Sequence, residues 1–177
     1  MLAVAFLRAV NVGGTGKIAM ADLKALAADI GLGDPRTLLQ SGNLVFEAGA
    51  KSPAALEKLL EKEMEARLGL ETDFMVRTGE EMKQILARNP FPAEAKNDPG
   101  RLHVYFLKAD ATAAAVATLN AAIKGRETAK GKGREIFMSF PDGMGKSKLT
   151  HAMIEKHLGT RVTARNWNTV SKLAEMT

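Results

Sequence analysis

The order of apolar and turn-forming segments repeats once along the 177-residue chain, and this repeat constrains the fold more than any single motif. Residues 2–8 are apolar on both faces of a strand, and residues 21–30 have apolar side chains at helical spacing. Residues 36–48 then predict two short strands joined by a turn. A helix over 53–68 and a strand over 72–77 complete the order strand–helix–strand–strand–helix–strand, which is typical of a ferredoxin-like unit.

The ends of the first helices are marked by capping residues. Ser52 lies in the N-cap position of the second helix, and Pro53 opens its first turn. Thr78 and Glu81 have the spacing of a capping box, which predicts a linking helix that ends before Asn89 and Pro90. Three glutamates recur at every fourth position of the second helix, where we expect a solvated face: Glu57, Glu61 and Glu65.

The same order of elements recurs after a proline-rich segment at 89–100. A strand precedes an alanine-rich helix, for which Asp110 is the predicted cap. A hairpin is expected to turn at Gly131–Gly133, a further helix to start at Ser147, and a last strand to occupy 160–165 before a terminal helix. We therefore predict an α+β fold with two ferredoxin-like βαββαβ subdomains in tandem, together with linking and C-terminal helices.

The predicted organisation has three parts. The first ferredoxin-like subdomain covers 1–78, a linking helix and proline-rich hinge cover 79–100, and a second, basic subdomain covers 101–177. Residues 1–77 contain 9 Lys and Arg against 10 Asp and Glu, whereas residues 78–177 contain 16 against 10. A one-sided positive field favours anionic partners such as nucleic acid, nucleotides or phosphorylated metabolites, with a solvated face as the alternative interpretation.

The composition excludes several classes of function. The chain has no cysteine, which removes disulfides, thiolate zinc sites and thiol nucleophiles. His151 and His157 are six residues apart on one predicted helix and face different directions, so we predict neither a metal site nor a cofactor. The apolar N-terminal run is interrupted by Arg8 and is too short for a leader or a membrane span, which favours a cytoplasmic protein without a membrane partner.

The letters Gly145-Lys146-Ser147 before a predicted helix raise the question of a Walker phosphate loop. That loop needs another glycine five residues before its second one, where this chain has Phe140 followed by Pro141. The earlier pair Gly16–Lys17 fails in the same way, because Asn11 occupies the required glycine position. Neither segment is therefore a P-loop.

Both loops still place a lysine beside a helix start, where unpaired N–H groups and the helix dipole favour an anion. The dipole contributes only ~0.3–1 kcal/mol, so Lys17, or Lys146 and Lys148 around Ser147, would have to supply the rest. The alternative interpretation is that the glycines only permit turns and the lysines are solvated.

The most unusual polar run is TARNWNTV, residues 163–170. Arg165, Asn166 and Trp167 stand together just before the terminal helix. One interpretation is an asparagine cap with the tryptophan as a core anchor. The other is a platform that stacks against a base or another planar group and hydrogen-bonds to it.

Four segments together resemble a bacterial family known as domain of unknown function 1697. They are RAVNVGGTGKI from Arg8, RTLLQSGNLVF from Arg36, GKSKL from Gly145 and TARNWNTVSKL from Thr163. The resemblance extends from Leu2 to Leu173 and implies a tandem pair of ferredoxin-like subdomains. It implies no established activity, so the function has to be argued from the residues.

We predict that the chain binds an anionic ligand, either nucleic acid or a nucleotide-like phosphate, without catalysing a reaction. The candidate contact residues are Arg8, Asn11, Lys17, Gln40, Ser41, Asn43, Lys146, Ser147, Lys148, Arg165, Asn166 and Trp167. The alternative is an enzyme that acts on a small phosphorylated or anionic substrate in a cleft between the subdomains, which a hinge at 89–100 would close. A pure interaction module is a third interpretation, and no feature indicates the oligomeric state.

Overall fold

A computed structural model describes residues 1–8 and 17–177 of the chain. The described residues form an α+β fold with two antiparallel sheets, one of four strands and one of three, and this confirms the predicted fold class. They divide into two compact units. The first unit comprises Met1–Gln84 and Leu173–Thr177, and the second comprises Ile85–Lys172.

The first unit follows the predicted order of elements. Its sheet has the strand order β2-β3-β1-β4, with every neighbouring pair antiparallel. The elements are β1 (Leu2–Leu7), α1 (Met20–Asp29), β2 (Gly33–Leu38), β3 (Asn43–Glu47), α2 (Pro53–Leu68) and β4 (Phe74–Thr78). Helix α3 (Gly79–Ala87) begins in this unit, and the end of α7 (Trp167–Glu175) belongs to it.

Strand β1 lies inside this sheet and is buried on both faces, as its sequence predicts. Ala3, Ala5 and Leu7 belong to the same apolar cluster as Leu23 of α1 and Leu60 of α2. Val4 and Phe6, which alternate with them and point to the opposite face, are also fully buried. A strand that is apolar on both faces has to occupy a central position, because an edge or a one-sided sheet would expose half of it.

The predicted caps of the first unit are confirmed. The Ser52 hydroxyl accepts a hydrogen bond from the Ala55 N–H at 3.2 Å, and Pro53 is the first residue of α2. Thr78 and Glu81 form the reciprocal capping box of α3. The Thr78 N–H donates to Glu81 Oε2 at 2.7 Å, and the Glu81 N–H donates to Thr78 Oγ1 at 3.1 Å.

The prediction of a solvated glutamate face on α2 is wrong for two of the three residues. Glu57 is only 6% exposed, and its Oε1 accepts the Val76 N–H at 2.9 Å. Glu61 accepts the Phe74 N–H at 3.0 Å. Strand β4 is an edge strand whose alternate N–H groups face away from β1, and α2 supplies carboxylates to satisfy them. Only Glu65 is fully exposed.

The second unit contains a three-stranded antiparallel sheet in the order β6-β5-β7. The segment 89–100, where the sequence indicated a hinge, contains α4 and the start of a short 3₁₀ turn. The elements are α4 (Pro92–Asn97), the turn Pro99–Arg101, β5 (Leu102–Ala111), α5 (Ala113–Ala122), β6 (Thr128–Ser139), a second 3₁₀ turn (Met144–Lys146), α6 (His151–Leu158), β7 (Val162–Asn166) and the start of α7.

The chain turns back at Gly131–Gly133, as the predicted hairpin requires. A Cβ on Gly131 would lie 2.9 Å from the Glu135 carbonyl oxygen, which is impossible for residues four apart in a straight strand, although Thr128–Ser139 is continuous extended backbone. Both glycines have positive φ, 126° and 82°. The register between β5 and β6 shifts between Phe106 and Ala111, which lies opposite Gly133. The positive φ values of the two glycines therefore allow this turn within β6, and the sheet of the second unit has the order β6-β5-β7.

Two predicted helix starts in the second unit are wrong. Asp110 lies within β5, and the cap of α5 is Thr112, whose Oγ1 accepts the Ala115 N–H at 3.0 Å. Ser147 does not start α6. The cap of α6 is Thr150, whose Oγ1 accepts the Met153 N–H at 3.2 Å. In both cases a threonine two or three residues downstream has the extended backbone that a cap needs.

Within residues 1–8 and 17–177, the longest helix is α2 with 16 residues, and no helix is long and apolar enough to cross a bilayer.

Candidate anion-binding cleft

The second unit has a cleft of about 420 Å³ where the end of α5 faces the loop that precedes α6. Its apolar lining comes from Ala122, Ile123, Leu149 and Met153. Its charged lining comes from Lys124, Glu127, Asp142, Lys146 and Lys148. We name this feature the α5–α6 cleft. It combines an apolar wall with three ammonium groups, a mixture that suits a ligand with an apolar or planar part and an anionic part.

The same residues that exclude a Walker loop hold the lysine-bearing loop in place. Phe140 is fully buried, and its N–H donates to the Arg101 carbonyl at 2.9 Å. The Arg101 guanidinium donates in turn to the Pro141 carbonyl at 2.7 Å. Gly143 then turns the chain with φ 88°, and the 3₁₀ turn Met144–Lys146 follows. The loop is therefore anchored at its base before it reaches the cleft.

Ser147 connects the two sides of the cleft instead of capping a helix. Its hydroxyl donates to Glu127 Oε1 at 2.5 Å and accepts the Leu149 N–H at 3.1 Å. Glu127 follows α5, so this pair ties the segment after α5 to the loop before α6. We infer that Ser147 positions Lys146 and Lys148, which flank it in the sequence and line the cleft.

Asp142, which lines the cleft, forms an ion pair with Arg126. Arg126 donates through Nε to Asp142 Oδ2 at 3.1 Å and through Nη2 to Oδ1. The hydrogen bonds from Arg126 hold the pKa of Asp142 below its ordinary value, and the charges of Arg101 and Lys146 act in the same direction. Arg126 offsets the charge of Asp142, so the three lysines outnumber the one remaining carboxylate, Glu127.

Five other predicted site residues that the structure describes lie in the first unit: Arg8, Lys17, Gln40, Ser41 and Asn43. The Leu7 N–H donates to the Gly42 carbonyl at 2.9 Å, which places the β2–β3 turn beside the end of β1 and beside Arg8. Asn43 is fully buried, and its amide donates to the Leu38 carbonyl at 2.8 Å and to Ser41 Oγ at 3.0 Å. Asn43 therefore stabilises the turn, while Gln40 is exposed at its tip.

Lys17, which follows the first glycine-rich loop, does not line the cleft. Lys17 is exposed and belongs to the first unit. Asn11 and the loop residue Gly16 lie outside the described residues. Their predicted contact with a ligand stays a prediction.

The polar run at 165–167 also lies outside the lining of the cleft. Arg165 is 6% exposed and donates through Nη1 to Thr163 Oγ1 at 2.6 Å and to the Ala164 carbonyl at 2.9 Å. Burial lowers the pKa of Arg165 to about 10, so the side chain is still charged at neutral pH. Asn166 Oδ1 accepts the Thr169 N–H at 3.0 Å, which confirms the predicted cap of α7. Trp167 is half-buried.

Sequence reasoning found Lys146, Ser147 and Lys148 but missed the opposite wall of the cleft. That wall comes from residues 122–127, about twenty positions earlier in the chain. The only signal in the sequence was the excess of basic residues that begins at Lys124. No spacing rule connects a helix end with a distant loop, because the contact depends on how α5 and α6 pack together.

The sequence matches the model of a family described as a protein of unknown function (DUF1697) over residues 1–137. The chain belongs to this family. This match confirms the family that the motifs indicated. It ends before Lys146 and before the polar run at 163–170. The wall of the cleft at 122–127 lies inside the matched range, and the lysine-bearing loop lies beyond it.

A solved structure has the same fold as this chain. The conserved bacterial protein SP0830 from Streptococcus pneumoniae matches with a TM-score of 0.74 and 22% sequence identity. The match covers 99% of this chain and 97% of that one, so the likeness extends over both units. None of the curated proteins matches the sequence. These comparisons establish the family and the fold, and the function has to come from the chemistry of the residues.

Proposed function

We propose that this DUF1697 protein binds an anionic small molecule, a nucleotide-like phosphate, in the α5–α6 cleft. One observation carries the proposal: Lys124, Lys146 and Lys148 surround a concave site that also has an apolar wall. A cleft of about 420 Å³ lies within the range of ~300–1,000 Å³ that is usual for small-molecule sites.

Electrostatics supports an anion more strongly than the helix dipole does. Three lysines line the cleft, against one carboxylate that Arg126 does not neutralise. A hydrogen bond to a charged group contributes about 1.5–3 kcal/mol, compared with ~0.3–1 kcal/mol for a helix terminus. The lysines would therefore dominate the affinity, while Ile123, Leu149 and Met153 would contact the apolar or planar part of the ligand.

The arrangement favours binding over turnover. The hydroxyl of Ser147, which lies between Lys146 and Lys148 in the sequence, donates to Glu127 and holds the loop. The carboxyl group of Asp142 has a pKa below its ordinary value, which makes it a poor general acid near neutral pH. Both groups therefore have a structural explanation that needs no reaction.

The test is a thermal-shift titration with thymidine monophosphate, glucose 6-phosphate and inorganic phosphate at low ionic strength. A bound anion at one hundred times its dissociation constant should stabilise the folded state by ~2.7 kcal/mol, which is readily seen as a rise in Tm. In Lys146→Gln/Lys148→Gln, affinity should fall about tenfold or more for each lysine that contacts the phosphate.

The matched control is Lys58→Gln/Lys62→Gln, which removes the same charge from exposed positions of α2 in the first unit. The control should bind as the unmodified protein does. If no anion raises Tm at millimolar concentration, or if the cleft variant and the control respond equally, the cleft is not an anion site.

A further inference from the structure

The second unit has a second basic concavity, of about 660 Å³, at the other end of α6. Its charged lining consists of Lys108, Glu155, Lys156 and Arg161, and its small residues include Gly159 and Thr160. We name it the α6 groove. It has three cations and one carboxylate, so its local charge has the same sign as that of the α5–α6 cleft.

Backbone hydrogen bonds fix the shape of the α6 groove. The Lys108 N–H donates to the Arg161 carbonyl at 2.9 Å, and the Ala109 N–H donates to Thr160 Oγ1 at 2.9 Å. Gly159 ends α6 with φ 73°, and its N–H donates to the Glu155 carbonyl at 2.8 Å. The end of β5 and the segment after α6 are therefore joined, which fixes the backbone positions of Lys108 and Arg161 relative to each other.

Helix α6 connects the two concave sites. The loop before it, with Lys146 and Lys148, lines the cleft, and Met153 of α6 lines the same cleft. Lys156 of α6 and the loop after it, with Arg161, line the groove. Helix α6 has eight residues and is therefore about 12 Å long, which sets the scale of the separation between the basic loops at its two ends.

We propose that the second unit binds a single-stranded nucleic acid, with one nucleotide in the α5–α6 cleft and the following phosphates in the α6 groove. This inference rests on the proposed anion binding of the cleft and names its ligand as a polymer. At about 3.4 Å per stacked nucleotide, the length of α6 corresponds to no more than about four nucleotides. A strand of about four nucleotides is therefore long enough to engage both sites.

The apolar wall of the cleft favours a single strand over a duplex. Ile123, Leu149 and Met153 offer contact for an unstacked base, which a duplex keeps paired and out of reach. The charge of the unit favours a polyanion over a lone phosphate. Residues 85–172 contain 15 Lys and Arg against 7 Asp and Glu, a net charge of +8.

The test uses fluorescence anisotropy of the full-length protein with a fluorescein-labelled twelve-nucleotide oligothymidylate, and thermal shift with thymidine monophosphate. The oligonucleotide should bind at least one hundredfold more tightly than the mononucleotide. Affinity should rise steeply up to about four nucleotides, and log K should fall by about 0.7 per neutralised phosphate for each unit of log salt concentration.

Two groove variants separate the sites. Lys156→Gln/Arg161→Gln should weaken oligothymidylate binding tenfold or more and leave mononucleotide binding unchanged. Lys156→Glu changes one exposed position of α6 and gives the same answer if the double variant does not fold. Lys146→Gln/Lys148→Gln should weaken the binding of both probes, and Lys58→Gln/Lys62→Gln should weaken neither.

Each of the other outcomes would contradict a specific part of the proposal. One such outcome is that the mononucleotide binds while the oligonucleotide binds no more tightly, and another is that the groove variants bind the oligonucleotide normally. Either result would show that the ligand is not a nucleic-acid strand, and anion binding in the α5–α6 cleft would still be supported. If a duplex of the same sequence binds as tightly as the single strand, the single-strand assignment is wrong. If neither probe binds, the proposed function and this inference both fail.

Discussion

The two units use their charged residues in opposite ways. Residues 1–84 and 173–177 contain 10 Lys and Arg against 13 Asp and Glu, a net charge of −3, whereas residues 85–172 have a net charge of +8. In the first unit, several carboxylates accept hydrogen bonds from backbone N–H groups. Glu57, Glu61 and Glu81 accept the N–H groups of Val76, Phe74 and Thr78 along the edge strand β4.

In the second unit, several cations line concave surfaces instead of completing the sheet. Lys124, Lys146 and Lys148 line the α5–α6 cleft, and Lys156 with Arg161 lines the α6 groove. The difference shows that net charge alone does not identify a binding surface. What matters is where the charged group lies: Glu57 is buried against an edge strand, whereas Lys124, Lys146 and Lys148 line a cleft.

The largest expected effect concerns Glu57. In Glu57→Ala, the Val76 N–H loses its acceptor and buried Arg77 loses a carboxylate 4.0 Å away. Breaking a buried charged pair destabilises by about 3–5 kcal/mol, and urea unfolding would measure the loss. The control is Glu65→Ala, an exposed position of the same helix, which should change stability by less than about 0.5 kcal/mol. Equal losses of stability in the two variants would show that the buried carboxylate of Glu57 contributes no more to stability than an exposed one.

An intermediate effect is expected from pH in the second unit. Burial lowers the pKa of His103, in β5, from 6.5 to about 4. Between these values the unfolded chain binds a proton that the folded chain excludes, so stability should fall as pH decreases from about 6.5 to about 4. Because His103 is partly exposed, we expect a loss of about 1–3 kcal/mol.

His103→Gln provides the matched comparison for this pH effect. Unfolding free energies measured at pH 7, 5.5 and 4.5 should decline less in the variant, because glutamine does not titrate. Parallel declines in both proteins would mean that other groups control the acid response of the second unit.

The smallest effect distinguishes two candidate caps of α5. Thr112→Ala should destabilise by ~1 kcal/mol, because the Ala115 N–H loses the hydroxyl that accepts it. Asp110→Ala should have almost no effect, since Asp110 is an exposed residue of β5. Thermal unfolding of the two variants measures the difference. A larger loss of stability in Asp110→Ala than in Thr112→Ala would show that Asp110 is the cap, as the sequence predicted.

Local signals in the sequence were reliable where one residue decides the geometry. Ser52, Thr78 with Glu81, and Asn166 were all correctly predicted as caps, because a cap depends on side chains three residues apart at most. They failed where two neighbouring candidates compete. Ser147 and Asp110 have the right chemistry for a cap, but Thr150 and Thr112 occupy the positions at which the helices start.

The sequence by itself determined the α+β class, the central position of β1 and the basic character of the second half. These follow from apolar periodicity and charge, which are properties of consecutive residues. Only the tertiary structure decided that Glu57 is a buried acceptor for an edge strand and that Ser147 joins Glu127 across the α5–α6 cleft. Both contacts connect residues about twenty positions apart, and such pairs meet only after helices and strands have packed.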